Sequence, residues 1–301
     1  MDLDALRLFL DVAHRLSFAA AAEARGVNPS SVSRAIAQLE DALGARLLQR
    51  STRRMTLTED GARFAAKAQA VIDAFDEAQD ALRATTSRPS GRLRLTASSA
   101  FGEIRLAPLI PEFQRLYPDI SLELLFTDAN LDLVAEGVDL ALRLAPRIEG
   151  DVIASRLMHT RYRVCASPEY LAAAPALARP EDLSDHRCVL FTLPAYRTAW
   201  RFRDQEGVER EVPVAGDLAV SSALSLRTAV LQGAGPALLA DWLISQDLAA
   251  GRLVDLFPDH EAAATEFDTA AWLVYPSRAY LPRKTRATID FLRSRLRGAG
   301  A

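Results

Sequence analysis

The chain has 301 residues, of which half are apolar and a quarter are charged, and its formal net charge is −3. This length is sufficient for two or three domains whose cores need no cross-links, and the acidic balance excludes a protein that binds nucleic acid over its whole surface. The distant pair Cys165 and Cys188 argues against a disulfide framework or a thiolate zinc site. The N-terminus lacks a secretory signal, and no apolar stretch reaches the roughly 18 residues that a membrane span requires, so we expect a cytoplasmic protein without a membrane partner.

Basic charge is concentrated near the N-terminus. Between Arg25 and Lys67 there are eight basic and four acidic residues, a local charge of +4, so the rest of the chain carries −7. A confined basic region on an otherwise acidic chain indicates a limited DNA-contact surface.

Residues 1–58 have the pattern of short helices, and a tight turn at Gly26 separates two of them. Ala22 is small enough for a close helix crossing, Gly26 tolerates a positive φ, and Val32 is an apolar residue that faces back. The inner face continues at helical spacing through Ile36, Leu39 and Leu43. We interpret the segment as a helix-turn-helix; the alternative is an ordinary helical hairpin with a solvated polar face.

The second of these helices supplies candidate DNA contacts. Asn28 can cap it, and Pro29 is suited to its first position. Short hydroxyl side chains and one long cation then face outward, where they would meet base edges or phosphates in a major groove. The candidates are Asn28, Pro29, Ser30, Ser31, Ser33 and Arg34.

The segment from Arg50 to Thr58 alternates like a short hairpin and predicts a wing that lies along the phosphate backbone. Its candidate contacts are Arg50, Thr52, Arg53 and Arg54. A solvated charge run is the alternative, and the position directly after the helix-turn-helix favours DNA contact.

One long helix is predicted over residues 59–86, with Thr58 as its N-cap and acidic residues in its first turn. Apolar residues at alternating steps of three and four form a seam. The seam residues are Ala68, Val71, Ile72, Phe75, Ala78 and Leu82. The seam could pack against its own domain, but we favour pairing with a second copy because nothing compact adjoins the helix in sequence.

A polar hinge at residues 87–91 precedes a region, 92–301, in which strands and helices alternate. This pattern predicts a parallel α/β architecture. It includes an amphipathic helix over 104–117 and a strand over 138–144.

In open α/β sheets, ligands bind beyond the carboxyl ends of strands, and helix starts favour anions. The candidate ligand contacts at such places are Ser98, Ser99, Phe101, Thr127, Phe191, Leu193, Ser221 and Ser222. The four serines could instead be helix caps only. Hydroxyls and helix starts favour a carboxylate-bearing metabolite, and the two phenylalanines could cover an apolar or aromatic body.

The combined motifs resemble the LysR-type transcriptional regulators. The N-terminal matching segments are SFAAAAE at residues 17–23, VNPSSVSR at 27–34, QLE at 38–40, LG at 43–44, LLQR at 47–50 and LTEDG at 57–61. Supporting segments are CASPEYL at 165–171, EDL at 181–183, GAG at 233–235, YLP at 280–282 and IDFL at 289–292. The chain departs from the family pattern at Pro236, at Ala240 and at the pair Ala145 and Pro146. The loop geometry of the family therefore cannot be carried over directly to these positions.

The resemblance implies an all-α winged helix-turn-helix domain at residues 1–58, a dimerising linker helix at 59–86, and an effector-binding domain at 92–301. That domain would be α/β with two lobes, like a periplasmic binding protein: about 92–162 with 267–297, and about 163–266. The implied partners are double-stranded DNA with a dyad-symmetric promoter site, a small-molecule effector, further copies in a homodimer or homotetramer, and RNA polymerase. No cofactor or metal is implied.

Two other classes of protein are less consistent with the sequence. A solute-binding protein would need a signal peptide and would leave residues 1–86 unexplained. An enzyme is not expected, because the four histidines form no Ser-His-Asp or metal-ligand spacing. A regulator that has lost its response to an effector also fits the sequence. The sequence leaves open which effector and operator the chain binds, whether it activates or represses, and whether it forms a dimer or a tetramer.

Overall fold

The computed structural model describes residues 2–50, 55–82, 88–134, 136–150, 152–276 and 281–296. The N-terminal unit contains the helices α1 (Leu3–Arg15), α2 (Phe18–Arg25) and α3 (Pro29–Leu43) and the antiparallel hairpin of β1 (Leu48–Arg50) and β2 (Met55–Leu57). Gly26 and Gly44 end α2 and α3 with a φ of 65°, a left-handed conformation that favours glycine. The predicted inner face of α3 is buried in the core of this unit, together with Phe9 and Val12.

The long helix α4 spans Glu59–Leu82 and begins as the sequence predicts, because the Thr58 hydroxyl accepts a hydrogen bond from the Gly61 N–H at 2.9 Å. Residues 83–86 of the predicted helix lie outside the described residues. The helix packs against α1, and Ala68 and Ile72 are buried there beside Leu6. No helix among the described residues is long and apolar enough to cross a membrane.

The remaining chain forms two α/β lobes. Its strands are β3 (Gly91–Ala97), β4 (Ile120–Phe126), β5 (Leu140–Ala145), β6 (Val152–Thr160), β7 (Tyr162–Ala166), β8 (Arg187–Phe191), β9 (Ala199–Arg203), β10 (Glu209–Pro213), β11 (Ala215–Val220), β12 (Ala237–Ala240), β13 (Val254–Asp255), β14 (Glu261–Ala263) and β15 (Thr269–Pro276). Its helices are α5 (Ser99–Phe101), α6 (Ile110–Leu116), α7 (Pro168–Ala173), α8 (Ala223–Leu231), α9 (Asp241–Ala249) and α10 (Arg283–Leu296).

The first lobe is built on a sheet with the order β4-β3-β5-β15-β6. Strand β3 is parallel to β4 and β5, whereas β15 is antiparallel to both of its neighbours. The expectation of a parallel architecture is therefore wrong for this strand. The chain leaves the lobe along β6 and comes back along β15, so the returning strand runs against the others.

The second lobe departs further from a parallel sheet. Its larger sheet, with the order β10-β9-β14-β7-β12, is antiparallel, and β13 also pairs with β7 in that sense. Only the separate pair of β8 and β11 is parallel among the described strands of this lobe.

Two crossing segments join the lobes. The chain passes from β6 to β7 at Arg161 and returns through residues 264–268 to β15. Thr160 and Thr269 are paired where these segments meet; their buried hydroxyl groups lie 2.8 Å apart. This hydrogen bond holds the two crossing segments side by side.

The predicted helix over 104–117 is irregular. A π-helical turn at Gly102–Leu106 and a 3₁₀ turn at Ala107–Leu109 separate α5 from α6. Pro108 and Pro111 account for part of this, because each lacks the N–H that a regular helix would use.

Candidate DNA-binding surface and effector cleft

The outer face of α3 is open to solvent. Asn28, Ser30, Ser31 and Arg34 are exposed, as is Pro29 at the first position of the helix, and Ser33 is half-buried beside them. The Arg34 Nε donates only a long hydrogen bond, 3.4 Å, to the Ser30 carbonyl. The helix therefore presents hydroxyls and a guanidinium together, the groups that read base edges and phosphates.

The cap of α3 differs from the prediction. Asn28 has the extended backbone of an N-cap residue, but its side chain makes no capping hydrogen bond. The expectation that its amide caps the helix is wrong, and the residue is exposed to solvent.

The wing is present as the β1–β2 hairpin. Thr52, Arg53 and Arg54 lie outside the described residues, and only the backbone of Arg50 is described. Phosphate contact by these residues stays a prediction.

A buried carboxylate fixes the wing against α3. Glu40 accepts hydrogen bonds from the Leu47 and Leu48 N–H groups at 2.8 and 3.0 Å and from Arg46 at 2.9 Å. Burial raises the pKa of Glu40, but these hydrogen bonds and the charge of Arg46 outweigh it and hold the pKa below its ordinary value. The ionised carboxylate thus sets the position of the wing relative to the recognition helix. The sequence patterns did not point to Glu40, because two of its hydrogen-bond donors are backbone N–H groups beyond the turn that ends α3.

The predicted seam of α4 divides into two faces. Ala68 and Ile72 face α1 of the same chain, so their assignment to a dimer seam is corrected. Val71, Phe75 and Ala78 are exposed, with 51% of Val71 and 37% of Phe75 accessible. The side chain of Leu82 lies outside the described part of the structure. The exposed apolar residues form the part of the helix that a second copy can cover.

Replacing Phe75 by aspartate is expected to weaken self-association, because a carboxylate at this position would be buried without a partner in a helix pair. Sedimentation velocity should show the oligomer dissociating at protein concentrations where the unmodified chain stays associated. Ala70→Asp is the matched control, since it places the same charge at another exposed position of α4. An unchanged oligomer for Phe75→Asp would refute the placement of the interface.

A cavity of about 480 Å³ lies between the two lobes. The first lobe contributes Ser98, Thr127, Asp128, Asn130 and Arg143, and the second contributes Phe191, Leu193, Tyr196, Ser221, Leu226, Leu243 and Trp242. Of the predicted ligand contacts, the structure brings together Ser98, Thr127, Phe191, Leu193 and Ser221. The volume falls in the range of small-molecule sites, about 300–1,000 Å³.

Three predicted contacts lie outside the lining of this cavity. Phe101 is buried in the core and packs edge-on against Trp242, with ring centroids 5.1 Å apart. The Ser222 hydroxyl caps α8 by accepting a hydrogen bond from the Ser225 N–H at 3.3 Å. Ser99 donates its N–H to the Asp128 carboxylate at 3.1 Å, so an acidic side chain already occupies that helix start.

Arg143 is the main lining residue that sequence patterns missed. A terminal nitrogen of its guanidinium is buried and has no hydrogen-bond partner among the described residues, and burial lowers its pKa. The Ser98 hydroxyl is likewise buried without a partner in the described structure. The signal was an arginine within the apolar strand LALRLA of residues 140–145. Two buried donors without a partner in the described structure therefore line the same cavity.

The aromatic side of the cavity is uncharged. The Tyr196 hydroxyl donates a hydrogen bond to that of Tyr162 at 3.0 Å, and burial raises the pKa of both tyrosines, well above the ordinary value for Tyr162. Both phenols therefore stay protonated at neutral pH.

A second groove, of about 570 Å³, is open to solvent on the second lobe. Its Arg203 is ion-paired with Glu261, and its Arg163 is ion-paired with Asp255. Because these two arginines already have carboxylate partners, whereas the buried terminal nitrogen of Arg143 has none among the described residues, the cavity between the lobes is the better candidate for a ligand.

Cys188 and His186, which could suggest enzymatic chemistry, are both buried within the fold. Cys188 is buried, and burial raises its pKa to about 12, so its thiol is protonated. His186 is buried and its Nδ1 lies 2.8 Å from the Tyr170 hydroxyl. In the described parts of the chain, no three His, Cys, Asp or Glu side chains are grouped to hold a metal ion.

Two family sequence models match the chain. Residues 3–62 match the bacterial regulatory helix-turn-helix protein of the lysR family, and residues 86–297 match the LysR substrate binding domain. The HTH-type transcriptional regulator DmlR of Escherichia coli is 37% identical over 293 residues, which cover 97% of this chain and 93% of that protein. PtxR of Pseudomonas aeruginosa, also an HTH-type transcriptional regulator, is 35% identical over 297 residues, covering 98% and 93%.

Solved structures show the same architecture over the full length. CrgA of Neisseria meningitidis, a LysR-type transcriptional regulator, is 32% identical and superposes with a TM-score of 0.61, covering 98% of this chain and 99% of that one. Full-length AphB, a virulence activator of Vibrio cholerae, is 27% identical with a TM-score of 0.59, covering 98% and 100%.

Proposed function

Because the chain belongs to the LysR family of transcriptional regulators, we propose that a carboxylate-bearing metabolite in the cleft between its lobes controls its binding to a promoter. The protein is a DNA-binding regulator and not an enzyme. In this proposal it acts in the cytoplasm as a homodimer or homotetramer on a dyad-symmetric site, with RNA polymerase as a further partner.

The unpartnered guanidinium of Arg143 carries the proposal about the effector. The guanidinium is partly buried, and its buried terminal nitrogen has no partner among the described residues. Such a charge is costly, and a bound carboxylate would compensate it and accept its hydrogen bonds. The Ser98 hydroxyl lines the same cavity and supplies a further donor. These two groups together favour an anion over a cation or a neutral sugar.

Replacing Arg143 by glutamine tests this. Calorimetry with a panel of small carboxylates should show binding weakened at least about tenfold, because a charge-assisted hydrogen bond contributes about 1.5–3 kcal/mol. Thermal stability should stay unchanged or rise, since the guanidinium has no partner to lose among the described residues. Arg147→Gln is the matched control, because Arg147 is exposed and paired with Glu266 at 3.0 Å. If no carboxylate of the panel binds, and only cations or neutral sugars titrated in parallel do, the proposal is contradicted.

The exposed face of α3 supports sequence-specific DNA binding. Arg34→Ala should weaken binding to the promoter site by about 1–3 kcal/mol and relax sequence preference at one position. A gel-shift assay on the chain's own upstream region and on shuffled DNA measures both effects. Arg187→Ala serves as the control, since Arg187 is an exposed arginine of the second lobe. Unchanged binding by Arg34→Ala would remove the recognition-helix assignment.

A further inference from the structure

The charge within the cleft is almost balanced. Arg143 is the cation among the described residues that line it, and Asp128 is the acid. Asp128 is exposed at the edge of the cleft, where its carboxylate accepts the hydrogen bond from the Ser99 N–H. A ligand carboxylate at Arg143 would be compensated, but a second carboxylate would meet no cation in the described lining and would approach Asp128.

The two walls of the cleft differ in character. Both charged side chains belong to the first lobe, and the second lobe contributes no charged side chain to the described lining. Instead it contributes apolar and aromatic groups such as Leu226, Leu243 and Trp242, together with Tyr196, whose phenol stays neutral. Such a wall is favourable for an uncharged apolar body and unfavourable for a buried charge.

We propose that the effector is a monocarboxylate with an apolar body, whose carboxylate binds Arg143 and Ser98 in the first lobe and whose body lies against the second lobe. This inference rests on the proposed function, because it assumes that the cleft is the effector site. The ligand then contacts the two lobes with different groups. The charge of Arg143 favours an anion in the first lobe, and the apolar body of the same ligand packs against the second lobe, so that the ligand bridges the two. Dicarboxylates and zwitterions of the same size are disfavoured.

A matched set of probes tests this on the full-length chain by calorimetry. Phenylpropanoate supplies one carboxylate and an apolar body. Benzylmalonate adds a second carboxylate to that molecule, phenylalanine adds an ammonium group, phenylpropanamide removes the charge, and acetate removes the body. Phenylpropanoate should bind tightest, with each of the other four at least about tenfold weaker.

A substitution in the apolar wall tests the contact with the apolar body of the ligand separately from the contact with its carboxylate. Leu193 lines the cleft and is 52% exposed, so Leu193→Asn should leave the fold intact. It should weaken binding of phenylpropanoate and leave that of acetate unchanged. Leu116→Asn is the control, because Leu116 is 51% exposed on α6 and does not line the cleft.

The outcomes distinguish this inference from the proposed function. If Arg143→Gln weakens binding but benzylmalonate or phenylalanine binds the unmodified chain tightest, the monocarboxylate inference is overturned and the carboxylate effector stands. If neither phenylpropanoate nor acetate binds, the inference is also overturned. If no carboxylate depends on Arg143, the proposed effector chemistry itself is overturned.

Discussion

Replacing Asp247 by asparagine is expected to destabilise the second lobe by about 3 kcal/mol. Asp247 lies on α9 with no solvent exposure, and it accepts two hydrogen bonds from Arg227 of α8, at 2.5 and 2.8 Å. Arg252 donates two more, at 3.0 and 2.7 Å. The substitution would remove the charge that compensates both guanidiniums and would place an amide N–H₂ against their donors. Because Arg252 is half exposed, water recovers part of the loss.

Urea unfolding followed by tryptophan fluorescence measures this effect, since two of the three tryptophans, Trp200 and Trp242, belong to the second lobe. Asp217→Asn is the matched control. Its carboxylate pairs with Arg187, and both side chains are exposed, so the change should stay within about 0.5 kcal/mol. Equal unfolding midpoints for the two variants would show that the buried network does not stabilise the lobe.

The same carboxylate predicts a pH dependence. Burial raises the pKa of Asp247, but the hydrogen bonds and charges of the two arginines outweigh it, so the folded-state pKa is lowered. The stability from this group is therefore complete above the unfolded-state value, about 3.9, and is lost as the pH falls below it towards the folded-state pKa. The difference in midpoint between the unmodified chain and Asp247→Asn should be constant near neutral pH and shrink below about pH 4. A difference that stays constant in acid would contradict this.

Local signals predicted the N-terminal unit. The turn at Gly26 and the start of α3 at Pro29 depend on backbone preferences of single residues, which the sequence states directly. The direction of β15 depends instead on how the chain returns from the second lobe, and no local pattern encodes that. The seam of α4 is a similar case, because the spacing of apolar residues does not show which element covers them. The sequence pattern assigns all of them to one interface, although Ala68 and Ile72 pack against α1 of the same chain.

The cleft was predicted in part. The rule about strand ends found Ser98, Thr127 and Ser221, because each follows a strand directly. It also selected Phe101, which the irregular helix turns into the core instead. Arg143 was missed because it lies within β5 and not at its end. A charged residue in an otherwise apolar strand is the pattern that would have found it, since an uncompensated charge among apolar neighbours is a candidate for ligand contact.

Replacing Gly61 by alanine is expected to disrupt the junction between the wing and α4. In a helix this substitution ordinarily stabilises by about 1 kcal/mol. Here a Cβ atom at position 61 would lie 2.0 Å from the carbonyl oxygen of Leu47. That oxygen accepts the hydrogen bond of the Thr58 N–H at 3.0 Å, and the Thr58 hydroxyl donates to the Arg46 carbonyl at 2.7 Å. The obstacle is therefore backbone held from two sides, which cannot move aside as a flexible side chain would.

The N-terminal unit should lose about 1–3 kcal/mol or more, and promoter affinity should fall with it, because Leu47 leads directly into the wing. Hydrogen exchange of residues 46–58, thermal melting and a gel shift measure the three consequences, and effector binding in the cleft should be unaffected. Gly44→Ala separates collision from backbone strain, since Gly44 has a φ of 65° and an added Cβ atom there would meet no other atom within 4 Å; it should cost only about 1 kcal/mol. If the Gly61→Ala chain is as stable as the unmodified one, the wing can move away from α4 at little cost. The position of the wing relative to the recognition helix would then be fixed by the hydrogen bonds of Glu40 and not by the junction with α4.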